Sequence, residues 1–305
     1  MKLNRREFTR LCATSLISAG AVLAASSRAP AQNTAPAPTT GRTVKFRDGT
    51  IVPALGQGSA RLGKGKHPQA AEEEALRTGL ALGMTLVDTA EAYGSEEFIG
   101  RAIAGQRDRV FLVSKVSPTH VAGDGIARAC EASLTRLGTD RLDLYLLHWP
   151  QKSVGLPSIV AAFESLRAKG KIRAWGVSNF TVPDMEELFR VPGGDRCATD
   201  QVPYSIADRR IERDLLPWCE RHGMPVMAYS PLGGSGAKVL SDPTLARIAA
   251  AHGSSAAAVT LAWTIRGGNV IAIPESGSVV HVKENAVALS LTLTPQELQA
   301  LTTRG

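Results

Sequence analysis

Two hydrophobic rhythms alternate along the chain. Short apolar runs of strand character occur at Ala54–Gly58, Thr85–Thr89, Val110–Val116, Leu142–His148, Ala174–Ser178, Ala198–Val202, Pro225–Tyr229 and Val270–Ile273. Between them lie amphipathic stretches of helical period, such as Ala70–Leu82, Ile126–Leu137 and Ile159–Lys169. Eight strand runs separated by helices need crossover connections, so the strands are expected to be parallel. Ahead of the first, Val44–Val52 reads as a hairpin, because half-apolar runs flank Asp48-Gly49, a pair suited to the positive dihedrals of a tight turn. Near the end, Thr294-Pro295-Gln296-Glu297 places a capping Thr, a Pro at the first helical position and a Glu three residues after the cap, which predicts a last helix.

Eight such units suit an α/β fold of the (β/α)8 TIM-barrel kind with an N-terminal hairpin, spanning residues 44–305. The alternative is an open doubly wound sheet. That fold usually carries a Gly-rich turn after its first strand, and Leu55-Gly56-Gln57-Gly58-Ser59-Ala60 lacks the third Gly where it is needed. Leu232 to Gly268 is a longer gap with a Gly-rich loop and two helical patterns, and the loop is placed to fold over a ligand.

Residues 1–31 follow a different pattern. Lys2, Arg5, Arg6 and Arg10 precede a weakly apolar run, Leu11 to Ala25, and Ala29-Pro30-Ala31 follows it, as in an export leader. The paired Arg5 and Arg6 with Phe8 resemble a twin-arginine signal, which would engage the twin-arginine export machinery and carry the folded protein to the periplasm or beyond. A plain secretory leader, or an unprocessed cytoplasmic extension, is the alternative. Residues 32–43, rich in Ala, Pro and Thr, read as a disordered spacer. The leader holds most of the formal +7 charge, so the remainder is only mildly basic and gives no reason to expect nucleic acid. No later run is long and apolar enough for a stable membrane anchor. Cys130, Cys197 and Cys219 are too few and too scattered for a disulfide framework or a metal site, and are expected to be buried thiols.

Barrel enzymes place their chemistry where strands end, and here the polar residues at those ends are Ser59, Asp88, Lys115, His148, Asn179, Gln201, Ser230 and Glu275. Asp88, Tyr93, Lys115 and His148 form a set suited to carbonyl reduction, which needs a hydride delivered to carbon and a proton to oxygen. A free phenol, with a pKa of about 10, gives its proton up reluctantly. An ammonium from Lys115 beside Tyr93 would lower that pKa, Asp88 would hold the Lys, and His148 would orient the substrate oxygen. Each residue alone has a plainer reading as a cap or a packing group; their joint occurrence on successive strands carries the functional one.

From about Val44 onward the chain resembles the aldo-keto reductase family. The resemblance rests on the tetrad Asp88, Tyr93, Lys115 and His148 within Asp88-Thr89-Ala90-Glu91-Ala92-Tyr93-Gly94-Ser95-Glu96, on Leu147-His148-Trp149-Pro150, and on Gly176-Val177-Ser178-Asn179-Phe180. It implies a (β/α)8 barrel that binds NADPH or NADH without a Rossmann domain and acts on a small carbonyl or alcohol. Ser178, Asn179 and Gln201 would hold the nicotinamide carboxamide, and Tyr229 would stack on its ring. Gly58, Ser59, Asp88, Ser230 and Leu232 would line the rest of the cofactor, with Ser276, His281, Lys283, Glu284 and Asn285 toward its adenosine end. Trp149 would join Tyr93 and His148 around the substrate. The family commonly has a Lys where this chain has Glu275, and many members have a Trp where it has Ala60. A carboxylate there is expected to repel the 2′-phosphate and loosen the preference for NADPH, and the small residue to leave the pocket open on one side. An exported nicotinamide-binding sensor or partner subunit with little turnover is the non-enzyme alternative.

Overall fold

A computed structural model describes residues 41–234 and 238–303. The leader assigned to residues 1–31 lies outside the described residues, as does the spacer apart from residues 41–43. The Arg42 amide donates to the Leu289 carbonyl at 3.0 Å, its carbonyl accepts from Ala54 at 2.9 Å, and Thr43 already opens the first strand.

The hairpin forms as expected. Strands β1 (Thr43–Lys45) and β2 (Ile51–Pro53) pair antiparallel with Val44 opposite Val52. Asp48 Oδ1 accepts from the Thr50 amide at 2.9 Å and Gly49 adopts φ 90°, a dihedral that a side chain would strain. After the hairpin come β3 (Gln57–Gly58), α1 (Gln69–Ala81), β4 (Leu86–Asp88), α2 (Glu96–Ala102), β5 (Phe111–Val116), α3 (Gly125–Leu137), β6 (Leu142–Leu147), α4 (Leu156–Ala168), β7 (Ile172–Ser178), α5 (Val182–Arg190), β8 (Asp200–Pro203), α6 (Leu215–Arg221) and β9 (Val226–Tyr229). The long gap then supplies α7 (Pro243–Ala251) and α8 (Ala256–Thr264), followed by β10 (Val270–Ala272), α9 (Val279–Ala286) and α10 (Pro295–Thr302). The expected capping box opens α10, with Thr294 and Glu297 satisfying each other's backbone amides.

Among the described residues, β3 to β10 form one sheet of eight strands in sequential order, every neighbouring pair parallel. The sheet curls until its two ends meet. Leu55 bridges Ala272, Gly58 bridges Glu275, and the Gly56 and Gly58 amides donate to Ala272 and Pro274 at 2.8 and 2.9 Å. A Cβ on Gly58 would sit 3.0 Å from the Ile273 carbonyl oxygen, so a larger residue would crowd this seam.

The strands are buried on both faces, as expected of parallel sheets covered by helices. Within that apolar setting Asp143 is held by the Leu112 amide at 2.9 Å, Arg107 at 2.9 Å and Arg173 at 3.1 Å, which compensates its lost hydration. Cys130, Cys197 and Cys219 are free and buried as expected, with the Cys130 thiol pushed up to about 12 by burial. Among the described residues no cluster of His, Cys, Asp or Glu is suited to a metal ion, and no helix is long and apolar enough to cross a membrane.

Candidate active site

All strands of the curled sheet end on the same side, and the polar residues at those ends line a cleft of about 570 Å³. Of the residues expected from sequence, Gly58, Ser59, Asp88, Tyr93, His148, Trp149, Ser178, Asn179, Gln201, Tyr229, Ser230, Leu232 and Glu275 reach its wall. Lys115 lies directly behind it, fully buried. Ser276, His281, Lys283, Glu284 and Asn285 are not brought to the wall. Ser276 follows the lining residue Glu275, and the other four lie on α9, where His281 and Lys283 are exposed and Asn285 is buried.

Asp88 ends β4, and each carboxylate oxygen has a partner. Oδ2 accepts from Lys115 Nζ at 2.7 Å and Oδ1 from Gln201 Nε2 at 2.8 Å. The ammonium also donates to the Thr89 carbonyl at 2.9 Å. Behind Asp88, Ser59 Oγ donates to its backbone carbonyl at 2.8 Å, and Ser59, Ser95 and Thr89 join through hydroxyls 3.0 and 2.9 Å apart. A single turn, Glu91–Tyr93, carries the phenol over the cleft, where Tyr93 OH lies 3.4 Å from His148 Nε2.

The electrostatics differ from the expectation in one respect. Lys115 Nζ sits 4.8 Å from the centroid of the Tyr93 ring, and its hydrogen bonds run to Asp88 and Thr89. Its charge is therefore balanced mainly by Asp88. Burial, and then the Asp88 carboxylate, raise the phenol's pKa above its ordinary value. Tyr93 accordingly stays protonated at neutral pH and can donate. Burial also pulls the Lys115 pKa down, opposed by Asp88. His148 is pushed down to about 4 by burial and by Lys115, so its imidazole is neutral at pH 7.

The amide side of the cleft is tightly determined. Asn179, after β7, has φ 65°, and Ser230, after β9, has φ 51°, both sparsely populated for residues with side chains. The Asn179 amide donates to the Gln201 carbonyl at 3.0 Å, its Nδ2 to the His148 carbonyl at 3.1 Å and to Ser178 Oγ at 3.0 Å, and its Oδ1 accepts from Tyr229 OH at 2.9 Å. Strain held by four partners is how a binding wall is preorganised. Amide and hydroxyl groups on β7 and β8 beside a half-buried aromatic on β9 suit a carboxamide attached to a flat ring, so these residues fit a nicotinamide.

Glu275 does not stand as an unpaired carboxylate. Its Oε2 accepts from the Arg61 amide at 2.7 Å and its Oε1 from Arg61 Nε at 2.8 Å. Arg61 was not among the residues picked out from sequence. The available signal was a Glu facing an anionic ligand, which calls for a cation nearby, but the seam that brings residue 61 to residue 275 is a tertiary feature. Leu240 also lines the cleft and was equally unmarked, as an apolar residue without a motif.

The chain matches the model of the Aldo/keto reductase family over residues 54–303. It is 48% identical over 266 residues to the methylglyoxal reductase YeaE of Escherichia coli strain K12, covering 85% of this chain and 93% of that protein. The crystal structure of an aldo/keto reductase from Klebsiella pneumoniae in complex with NADP and acetate superposes with a TM-score of 0.82 at 47% identity, covering 86% of this chain and 94% of that one. A second aldo-keto reductase structure from Klebsiella pneumoniae, in complex with NADPH, gives 0.82 at 46% identity with the same coverage. With its tetrad gathered at one cleft and the family match running through nearly all of the described residues, the chain belongs to the aldo/keto reductase family.

Proposed function

We propose that the protein is an NAD(P)H-dependent carbonyl reductase acting at the mouth of a closed (β/α)8 barrel, on small aldehydes and ketones with 2-oxoaldehydes foremost. The observation that carries this reading is the Tyr93 to His148 pair at 3.4 Å, set over the buried Lys115 to Asp88 ion pair at 2.7 Å. The two seam bridges support closure of the barrel. The NADP and NADPH complexes of the Klebsiella relatives support the cofactor, and the methylglyoxal reductase relatives support the substrate class.

Bound in the cleft, the nicotinamide supplies the hydride. Ser178, Asn179 and Gln201 would hold its carboxamide, and Tyr229 would pack against its ring. Neutral His148 donates from Nε2 to the carbonyl oxygen and fixes its direction. Tyr93 then gives its proton to that oxygen as charge develops there. The ammonium of Lys115 stabilises the phenolate left behind, and Asp88 keeps the ammonium in place. Trp149, half exposed, forms an apolar wall beside His148.

An adjacent carbonyl makes the reacting carbon more electrophilic. Methylglyoxal is therefore expected to show kcat/KM at least about tenfold above that of a simple dialkyl ketone, a difference of about 1.4 kcal/mol in barrier. Steady-state rates with NADPH across such a panel measure this. Equal efficiencies would remove the 2-oxoaldehyde preference.

A further inference from the structure

The turn that carries Tyr93 is weak on its own. Glu91–Tyr93 is a single helical turn held by a backbone bond from the Tyr93 amide to the Ala90 carbonyl at 3.0 Å and a longer one from the Gly94 amide to the Glu91 carbonyl at 3.4 Å. So short a turn needs tertiary contacts to keep its place. The side chain at its first position, Glu91, supplies one. Asp88, the last residue of β4, pairs with Val113, whereas β5 runs on to Val116 and outruns its neighbour. The Ser117 amide, beyond the ladder, needs an acceptor from elsewhere. Glu91 Oε1 accepts from it, and His120 Nδ1 lies 3.0 Å from the same oxygen. The Glu91 side chain is 10% exposed although that of His120 is 57% exposed, so the carboxylate is enclosed at this junction. The same segment also meets the other side of the site. The Val116 carbonyl accepts from the His148 amide at 3.0 Å, and the Pro118 carbonyl from Gln151 Nε2 at 3.0 Å. The residues that follow Lys115 thus tie the carriers of Tyr93 and His148 together, with Glu91 supplying the link to the turn of the phenol.

Resting on the carbonyl reductase reading, we propose that Glu91 is a positioning residue for the proton transfer, fixing the turn that bears Tyr93 against the segment that follows Lys115. The phenol is thereby set over the ammonium and beside His148. Glu91 is outside the lining of the cleft, so its effect on the reaction passes through Tyr93. A misplacement of about 1 Å at a reacting group is enough to cost about a hundredfold in rate. Glu91→Gln keeps a carbonyl oxygen for the Ser117 amide, and Glu91→Ala removes it. Ser117→Pro breaks the same bond from its other end, since Ser117 already has φ −65° and proline lacks the N–H.

The test is a double-mutant cycle in the full-length protein, measuring kcat for methylglyoxal with NADPH in wild type, Glu91→Ala, Tyr93→Phe and the double variant. Glu91→Gln and Ser117→Pro are measured beside them, and fluorescence titration gives the Kd for NADPH. Glu91→Ala is expected to lower kcat about ten- to a hundredfold with that Kd unchanged. Ser117→Pro should lower kcat in the same direction, and Glu91→Gln should recover most of the loss. In the Tyr93→Phe background, with no phenolic proton to place, Glu91→Ala should cost less than about threefold. A loss of folded protein would scale both backgrounds alike, so equal fold losses in the two would overturn the inference. So would wild-type kcat in both Glu91→Ala and Ser117→Pro. Either result leaves the reductase reading intact as long as the wild type turns over and Tyr93→Phe is impaired. A wild type without carbonyl-dependent turnover would overturn both.

Discussion

Tyr93→Phe is expected to lower kcat for carbonyl reduction by about 10²- to 10⁴-fold, the range a positioned general acid contributes. The substitution removes one oxygen and leaves the ring, its edge contact with His148 at 5.3 Å between centroids and its place over the Lys115 ammonium. NADPH affinity should therefore change little, and the loss should fall on kcat and kcat/KM together, as for an interaction made chiefly in the transition state. The phenol is protonated over the neutral range, so its proton is available to the carbonyl oxygen, while His148, held down to about 4, carries only its single neutral-form proton. Steady-state kinetics beside a cofactor titration would measure both effects. Retention of more than about a tenth of wild-type kcat would remove Tyr93 from the proton-donor role.

Lys115→Met is expected to be the most destabilising single change at the site. It deletes the partner of a carboxylate that is 2% exposed, and breaking a buried ion pair in this way typically costs about 3–5 kcal/mol. Gln201 at 2.8 Å retains one hydrogen bond to Asp88, which limits the damage without replacing the lost charge. Thermal denaturation should show a Tm lower by roughly 2–4 °C for each kcal/mol lost. Adding Asp88→Asn to Lys115→Met should recover part of the stability, since the uncompensated charge goes with it, while activity stays low. A single Lys115→Met variant as stable as wild type would mean that the two groups are not a buried ion pair in the folded protein.

Much of this was legible in the chain because the parallel strands are buried on both faces and therefore read as apolar runs ended by a polar residue. Asp88, Lys115, His148 and Asn179 were marked in this way: Asp88 ends β4, Lys115 is the last residue but one of β5, and His148 and Asn179 immediately follow β6 and β7. The hairpin and the last helix were equally readable, since Asp48-Gly49 and Thr294 to Glu297 are local signals that need no tertiary partner. What escaped depended on contacts across the sheet. The pairing of Arg61 with Glu275 exists only because the ends of the sheet meet, and a 214-residue separation leaves no local trace. The direction of the Tyr93 shift escaped for a related reason. Sequence placed a cation beside the phenol, but the balance turns on burial and on Lys115 being committed to Asp88. The positive φ of Asn179 and Ser230 was likewise invisible, because a residue with a side chain does not announce a left-handed backbone as glycine does.

The most direct test of the central claim is carbonyl-dependent oxidation of NADPH by the purified full-length protein, followed through nicotinamide absorbance with methylglyoxal present or withheld. Steady oxidation that requires the carbonyl and continues over many turnovers is the expected result. Tight NADPH binding with no oxidation when carbonyl is added would contradict it, and would make the cleft a nicotinamide-binding site without catalysis.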